Sequence, residues 1–131
     1  MEIAIFGLET PSTQNAETPF GAVAFGAQRL VDRETGFFNR NSDPRARVYA
    51  AKEMGAERII GVFNGVGLNP LLGDGDALAP GDLIDQTRGG PTTFFVNRGL
   101  GYIQMTPPFC AETRTAMLAA ITRTEYASRI T

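Results

Sequence analysis

The segment from residue 43 to residue 63 constrains the fold more than any other. Asp43 is placed to cap free helix amides, Pro44 suits the first helical position, and Gly55 stands where a helix stops. Between them Val48, Ala51 and Met54 share one face, with Lys52 and Glu53 turned away from it. The spacing predicts a helix. Arg58-Ile-Ile-Gly-Val-Phe63 follows it almost at once, an apolar run of the kind found in a strand covered on both faces. Ahead of the helix, Gly36-Phe-Phe38 reads as a strand bounded by polar Asn39-Arg-Asn-Ser42. Strand, helix and buried strand make a βαβ unit, whose parallel pair is expected to be connected right-handedly.

The rest of the chain extends this α/β pattern. Residues 2–7 (EIAIFG) read as a short central strand ending on a glycine that permits a sharp turn. The polar stretch 8–17 reads as a loop, and Thr18-Pro-Phe-Gly21 turns into a strand around residues 22–30. Residues 65–82 form a long loop rich in Gly, Pro and Asp. Residues 82–85 and 92–96 are further strand candidates, with Arg88-Gly-Gly-Pro91 as a turn between them. Thr106-Pro-Pro108 initiates a final helix over about residues 109–126, with Met117, Leu118 and Ile121 on its apolar side. This order predicts one α/β domain over residues 1–131, a single sheet with helices packed on it.

Charge and composition narrow the chemistry. The chain of 131 residues carries a formal net charge of −2, which gives no electrostatic footprint for nucleic acid or an anionic membrane surface. Its apolar runs are too short to cross a bilayer, and no basic-then-apolar leader is read at its start. A single cysteine, Cys110, leaves no internal disulfide framework and fits an expected cytoplasmic address. There is no histidine. Ser-His-Asp and Cys-His nucleophile systems, histidine-ligated zinc and the commonest general base are therefore excluded for this chain. Chemistry falls to carboxylates, arginines, lysine, tyrosines, hydroxyls or backbone amides.

Several segments in order carry a family resemblance. They are Thr18-Pro-Phe-Gly21, the helix Arg45-Ala-Arg-Val-Tyr-Ala-Ala-Lys-Glu-Met-Gly55, Phe63-Asn-Gly-Val-Gly67, Pro80-Gly-Asp82, Ile84-Asp-Gln-Thr87 with Pro91-Thr-Thr-Phe-Phe95, and Pro108-Phe-Cys110. The series resembles the N-terminal half of the purine nucleoside phosphorylases, in their methylthioadenosine phosphorylase branch. The resemblance implies a truncated phosphorylase-like α/β fold with a mixed, partly barrel-like sheet. It also implies a homo-oligomer, a trimer by family habit, with a nucleoside site shared between subunits.

The sequence departs from the family where the chemistry sits. Family members are roughly twice as long, and the half not matched supplies most of their purine pocket. Their phosphate-gripping glycine turn corresponds to Gly7-Leu-Glu-Thr10, where Leu8 replaces a glycine and Glu9 falls near the hydroxyl position. A carboxylate within about 4–6 Å of a phosphate repels it. The family's Arg-His-Gly segment corresponds to Arg40-Asn-Ser42, so the arginine survives and the histidine does not. Asn64 and Gly65 match positions that touch phosphate and ribose, while Leu68 replaces a serine. Tyr102 matches a histidine that reaches across the family's subunit interface.

The resulting candidates are Asp85, Tyr102 and Glu9 for catalysis, and Arg40, Asn64, Gly65 and Arg88 for substrate binding. Each has a structural alternative. Asp85 is equally a turn cap paired with Arg88 on the surface. Tyr102, whose hydroxyl ordinarily titrates near pH ~10, is equally a packing aromatic. Cys110 near a helix start reads as packing, and Asp74, Asp76 and Asp82 as a glycine-aspartate loop without cation-binding spacing. Gly65-Val-Gly67 is only a fragment of a dinucleotide pattern, so no cofactor and no metal is expected. The function expected is binding of a nucleoside-like or other small cyclic ligand at a subunit interface, with altered, phosphate-independent chemistry in a biosynthetic pathway. The alternatives are a non-catalytic subunit or regulator of a full-length paralogue, and a structural homo-oligomer with a relict site.

Overall fold

The computed structural model describes residues 1–8, 11–91, 93–95, 99, 101 and 103–123. Along the described chain run β1 (Ile3–Phe6), β2 (Gln14–Thr18), β3 (Gly21–Leu30), β4 (Arg33–Phe38), α1 (Pro44–Glu53), β5 (Arg58–Gly61) and α2 (Ala111–Ile121). The chain divides into two units, Met1–Asn64 with Gly89–Gly99, and Gly65–Arg88 with Leu100–Thr131.

The first unit is built on a mixed five-stranded sheet in the order β2-β3-β4-β1-β5. Apolar β1 is central, parallel to β4 on one side and to β5 on the other. β2 and β3 form an antiparallel hairpin at Thr18-Pro-Phe-Gly21. The Thr18 hydroxyl donates to the Gly21 carbonyl at 2.7 Å and accepts from the Phe20 amide at 3.1 Å. Gly21 takes a φ of 113°, a left-handed conformation open to glycine. β3 runs on through a second hairpin into β4, with Leu30 paired to Arg33. Val31, at the tip, has a φ of 56°, a strained value for a β-branched residue.

Helix α1 begins as its sequence indicates. The Asp43 carboxylate accepts from the Arg45 amide at 2.8 Å, and Pro44 fills the first turn. Its buried residues are Ala46, Ala50 and Ala51, while Val48 and Met54 are only partly buried. The difference from the expected face has a packing cause. Phe6, Phe25 and Phe38 fill the space above the sheet, Phe6 edge-on to Phe38 at 5.3 Å and Phe25 stacked on it at 5.5 Å. Only alanines let the helix approach so aromatic a surface. Thr93 is held to this unit through the Arg45 guanidinium, which lies 4.9 Å above the Phe20 ring and donates to the Thr93 carbonyl at 3.2 Å. Phe94 meets Phe20 edge-on at 5.4 Å.

Three sequence expectations change. The polar stretch read as a loop contains β2, a strand whose partners come from β3. The strand read as covered on both faces has one face open, Ile59 and Gly61 being exposed, and β5 stands at the edge of the described sheet beside β1. Residues 82–85 form no strand: the Asp82 and Asp85 carboxylates bond nearby backbone amides, which competes with a ladder. Positions 92 and 96 of the other candidate strand lie outside the described residues, and residues 93–95 are not strand.

The second unit holds that loop and α2. The Arg114 guanidinium, from α2, donates through Nε to the carbonyls of Ala79 at 3.0 Å and Pro80 at 3.2 Å. No residue of α2 is buried. The expected extension of this helix to residue 126 passes beyond the described residues after residue 123.

Candidate functional site

Because β4, β1 and β5 are adjacent and parallel, the segments leaving them emerge along one edge of the sheet. In open α/β sheets this carboxyl edge is where ligands are received. Three segments meet there: Gly7 after β1, Asn39 and Arg40 after β4, and residues 62–64 after β5.

Gly7 is required by this convergence. Its φ is 95°, and a Cβ at this position would overlap the Val62 carbonyl oxygen. The backbones leaving β1 and β5 touch because residue 7 has no side chain. Arg40 completes the arrangement by donating through Nε to the Gly7 carbonyl at 3.1 Å. Its chain is exposed, so the rest of the guanidinium stands at the surface of this edge. Asn64 lies at the end of the same unit and is also exposed.

Two further residues at this edge escaped the sequence reading. Arg47, on α1, places its guanidinium 5.7 Å from the centre of the Phe6 ring, and its buried Nε has no hydrogen-bond partner among the described residues. Burial pushes its pKa down, partly offset by the negative charge of Asp43, though an arginine so placed keeps its proton. Asn39 donates to the Ser12 hydroxyl at 2.6 Å, and its buried Oδ1 likewise has no partner among the described residues. Nothing in the local pattern marks either residue, because both depend on α1 and the β4 exit folding onto β1. Neighbouring Arg45 is already engaged by Asp43 at 2.8 Å, and its guanidinium holds the Asp43 carboxyl below the usual carboxylate range.

The remaining candidates separate. Gly65, Asp85 and Arg88 belong to the second unit and are exposed there. Asp85 Oδ1 accepts from the Thr87 hydroxyl at 2.6 Å and the Thr87 amide at 2.9 Å, and these bonds, the hydroxyl first, lower its pKa. A carboxylate held in its ionised form by a turn is a weak proton acceptor. It makes no ion pair with Arg88 among the described residues. Glu9 and Tyr102 lie outside the described residues. Cys110, read as packing, is instead exposed at the start of α2, its thiol pKa lowered chiefly by a hydrogen bond with the Thr113 side chain.

The edge geometry can accept polar atoms of a small ligand through Arg40, Asn64 and backbone amides. Comparison with known proteins then supplies the family. The probable S-methyl-5'-thioinosine phosphorylase of Methanopyrus kandleri is 33% identical over 118 residues, covering 79% of this chain and 44% of that protein. That of Pseudomonas syringae pv. tomato is 31% identical over 130 residues, covering 88% of this chain and 52% of that protein. The chain is a relative of the methylthioadenosine-type nucleoside phosphorylases. It spans about half the length of the curated relatives it matches, in their N-terminal part. A crystal structure of a mutant adenosine/methylthioadenosine phosphorylase in its apo form superposes with a TM-score of 0.76 at 22% identity, covering 93% of this chain and 51% of that one. The mixed sheet with flanking helices is thus the phosphorylase fold. No family model matches the chain. Among the described residues no helix is long and apolar enough to cross a membrane.

Proposed function

We propose that the chain binds a nucleoside-like or other small cyclic ligand at the carboxyl edge of β4, β1 and β5, in a homo-oligomer whose subunits share the site. The observation that carries this reading is the Arg40–Gly7 hydrogen bond. It ties two strand exits together beside the third and leaves an arginine at the edge where this fold receives ligands. Kinship with proteins named as methylthioinosine phosphorylases, and likeness in fold to an adenosine/methylthioadenosine phosphorylase, support a purine nucleoside or thionucleoside as the ligand class.

The same geometry favours chemistry without phosphate. Arg40 has its Nε engaged by backbone, so a bidentate grip through that nitrogen is no longer open to an anion. Leu8 beside Gly7 brings a bulky side chain where close backbone approach would serve an oxyanion. Asp85, Arg88, Gly65, Tyr102 and Glu9 remain proposed contributors, Asp85 in the role of an ionised hydrogen-bond acceptor more than a base. The reaction would serve a biosynthetic sequence in the cytoplasm.

The test is a base-release assay read by chromatography. Purified protein is incubated with methylthioadenosine, methylthioinosine, adenosine and inosine, with and without phosphate. Release independent of phosphate is expected. Release that requires phosphate would overturn the altered chemistry and restore ordinary phosphorolysis. No release and no binding of any of the four would remove the nucleoside reading.

A further inference from the structure

The segment leaving β5 carries chemistry of its own. In Phe63-Asn-Gly-Val-Gly67 the chain is neither helix nor strand, and Asn64 is followed directly by Gly65. An asparagine carboxamide and the backbone amide of the next residue can close on one another into a cyclic imide. A side chain on the following residue hinders that closure, regular backbone holds the two groups apart, and hydrogen bonds tie up either group. None of these operates here. Gly65 has no side chain, and a Cβ built on it meets nothing within 4 Å. Neither the Asn64 carboxamide nor the Gly65 amide makes a hydrogen bond among the described residues.

The other asparagines differ. Each precedes a residue with a side chain. Asn15 is also held in β2 by its pairing with β3, and the Asn39 carboxamide donates to the Ser12 hydroxyl. Asn69 precedes Pro70, which has no amide hydrogen to give up. Asp74 precedes a glycine as Asn64 does, but an ionised carboxylate is a poor electrophile.

We propose that Asn64-Gly65 is a self-modification site, at which the chain converts Asn64 through a cyclic imide into isoaspartate and aspartate. The Gly65 nitrogen attacks Asn64 Cγ. The bond from Cγ to the side-chain nitrogen breaks, and ammonia leaves with the proton that the Gly65 nitrogen releases. Water then opens the ring at either carbonyl. Opening at Cγ restores the ordinary peptide bond and leaves aspartate. Opening at the main-chain carbonyl leaves isoaspartate, whose backbone is one methylene longer. Both products replace a neutral carboxamide, which donates and accepts, with a carboxylate that only accepts, at the exit of β5. The reacting groups sit on adjacent residues, so the step needs no ligand and is independent of the nucleoside reading.

The experiment ages the purified chain in mildly alkaline buffer and follows it by peptide mapping with mass spectrometry. An isoaspartate-specific methyltransferase labels the product. Conversion at Asn64 is expected at least about tenfold faster than at any other asparagine, with isoaspartate the major product. A capped peptide of residues 63–67 is expected to convert at a rate within about tenfold of the folded chain. Gly65 lies outside the left-handed region, so Gly65→Ala is accommodated and is expected to melt like the parent. Its added Cβ is expected to slow the conversion at least about tenfold by narrowing the backbone range from which the nitrogen reaches Cγ. Faster conversion at another asparagine would overturn the proposal, as would a folded chain protected more than about tenfold relative to the peptide. So would an undiminished rate in Gly65→Ala, or aspartate formed without isoaspartate, either of which would mean direct hydrolysis of the carboxamide.

Discussion

Two alanine-rich helices in this chain meet opposite fates. In α1, Ala46, Ala50 and Ala51 are sealed against aromatic side chains from three strands. In α2, Ala111, Ala116, Ala119 and Ala120 are all exposed, and Met117, Leu118 and Ile121 are only half-buried. Both sequences carry sound helix signals, so propensity does not separate them. The separation comes from what each helix has beside it in its own unit: α1 has a sheet, and α2 has a loop that it reaches through Arg114. A helix pattern indicates that an apolar stripe exists, while burial of that stripe depends on partners distant in sequence.

Phe38→Ala is expected to have the largest effect. Phe38 is fully buried and touches two other phenylalanines, so about 3–5 kcal/mol of unfolding free energy is expected to go. Gly7→Ala comes next. It forces a left-handed residue against the Val62 carbonyl, and about 1–3 kcal/mol is expected from the backbone alone, read by denaturant titration. In the other direction, Val31→Gly relieves a left-handed valine that is 92% exposed, and a gain of about 1 kcal/mol is expected. Met117→Ala in α2 is expected to cost less than about 1 kcal/mol, because little apolar area returns to water. A loss there equal to that of Phe38→Ala would erase the contrast between the units.

The smallest expected effect is electrostatic. The Asp43 carboxyl is held below its ordinary range, first by its side-chain bond to Arg45. A carboxyl depressed on folding stabilises the folded state above its unfolded pKa, and that contribution disappears as pH falls through the lower folded value. Melting temperature should therefore fall on acidification below the usual aspartate range, and Asp43→Asn should flatten that part of the profile. An unchanged profile in the variant would place the acid sensitivity elsewhere.

Much of the first unit was legible because its signals are local. The EIAIFG strand, the Thr18–Gly21 turn, the Asp43-Pro44 start and the Gly55 stop each specify their own geometry. What was illegible depends on partners. β2 is polar and is a strand only because β3 lies beside it. β5 has the composition of a covered strand, yet one of its faces is open, with Ile59 and Gly61 exposed. The same division runs through the candidate site. Arg40 and Asn64 sit at strand ends, and strand ends gather wherever parallel strands do. Asp85 looked chemical in a list of carboxylates, but its nearest donors are two residues away in Thr87, which makes it a turn residue first. Arg47 and Asn39 gave no sign of themselves, since an unpaired buried polar atom exists only after tertiary packing.

Where a ligand lands decides whether the carboxyl edge of β4, β1 and β5 is a site. Hydrogen exchange of the chain would be followed with and without saturating methylthioinosine, beside an Arg40→Ala variant. Protection is expected to be confined to Gly7 and Leu8, Asn39 and Arg40, and residues 62–64, and to be lost in the variant. Protection confined to the unit carrying α2, or protection indifferent to Arg40, would contradict a ligand site at the carboxyl edge of the sheet.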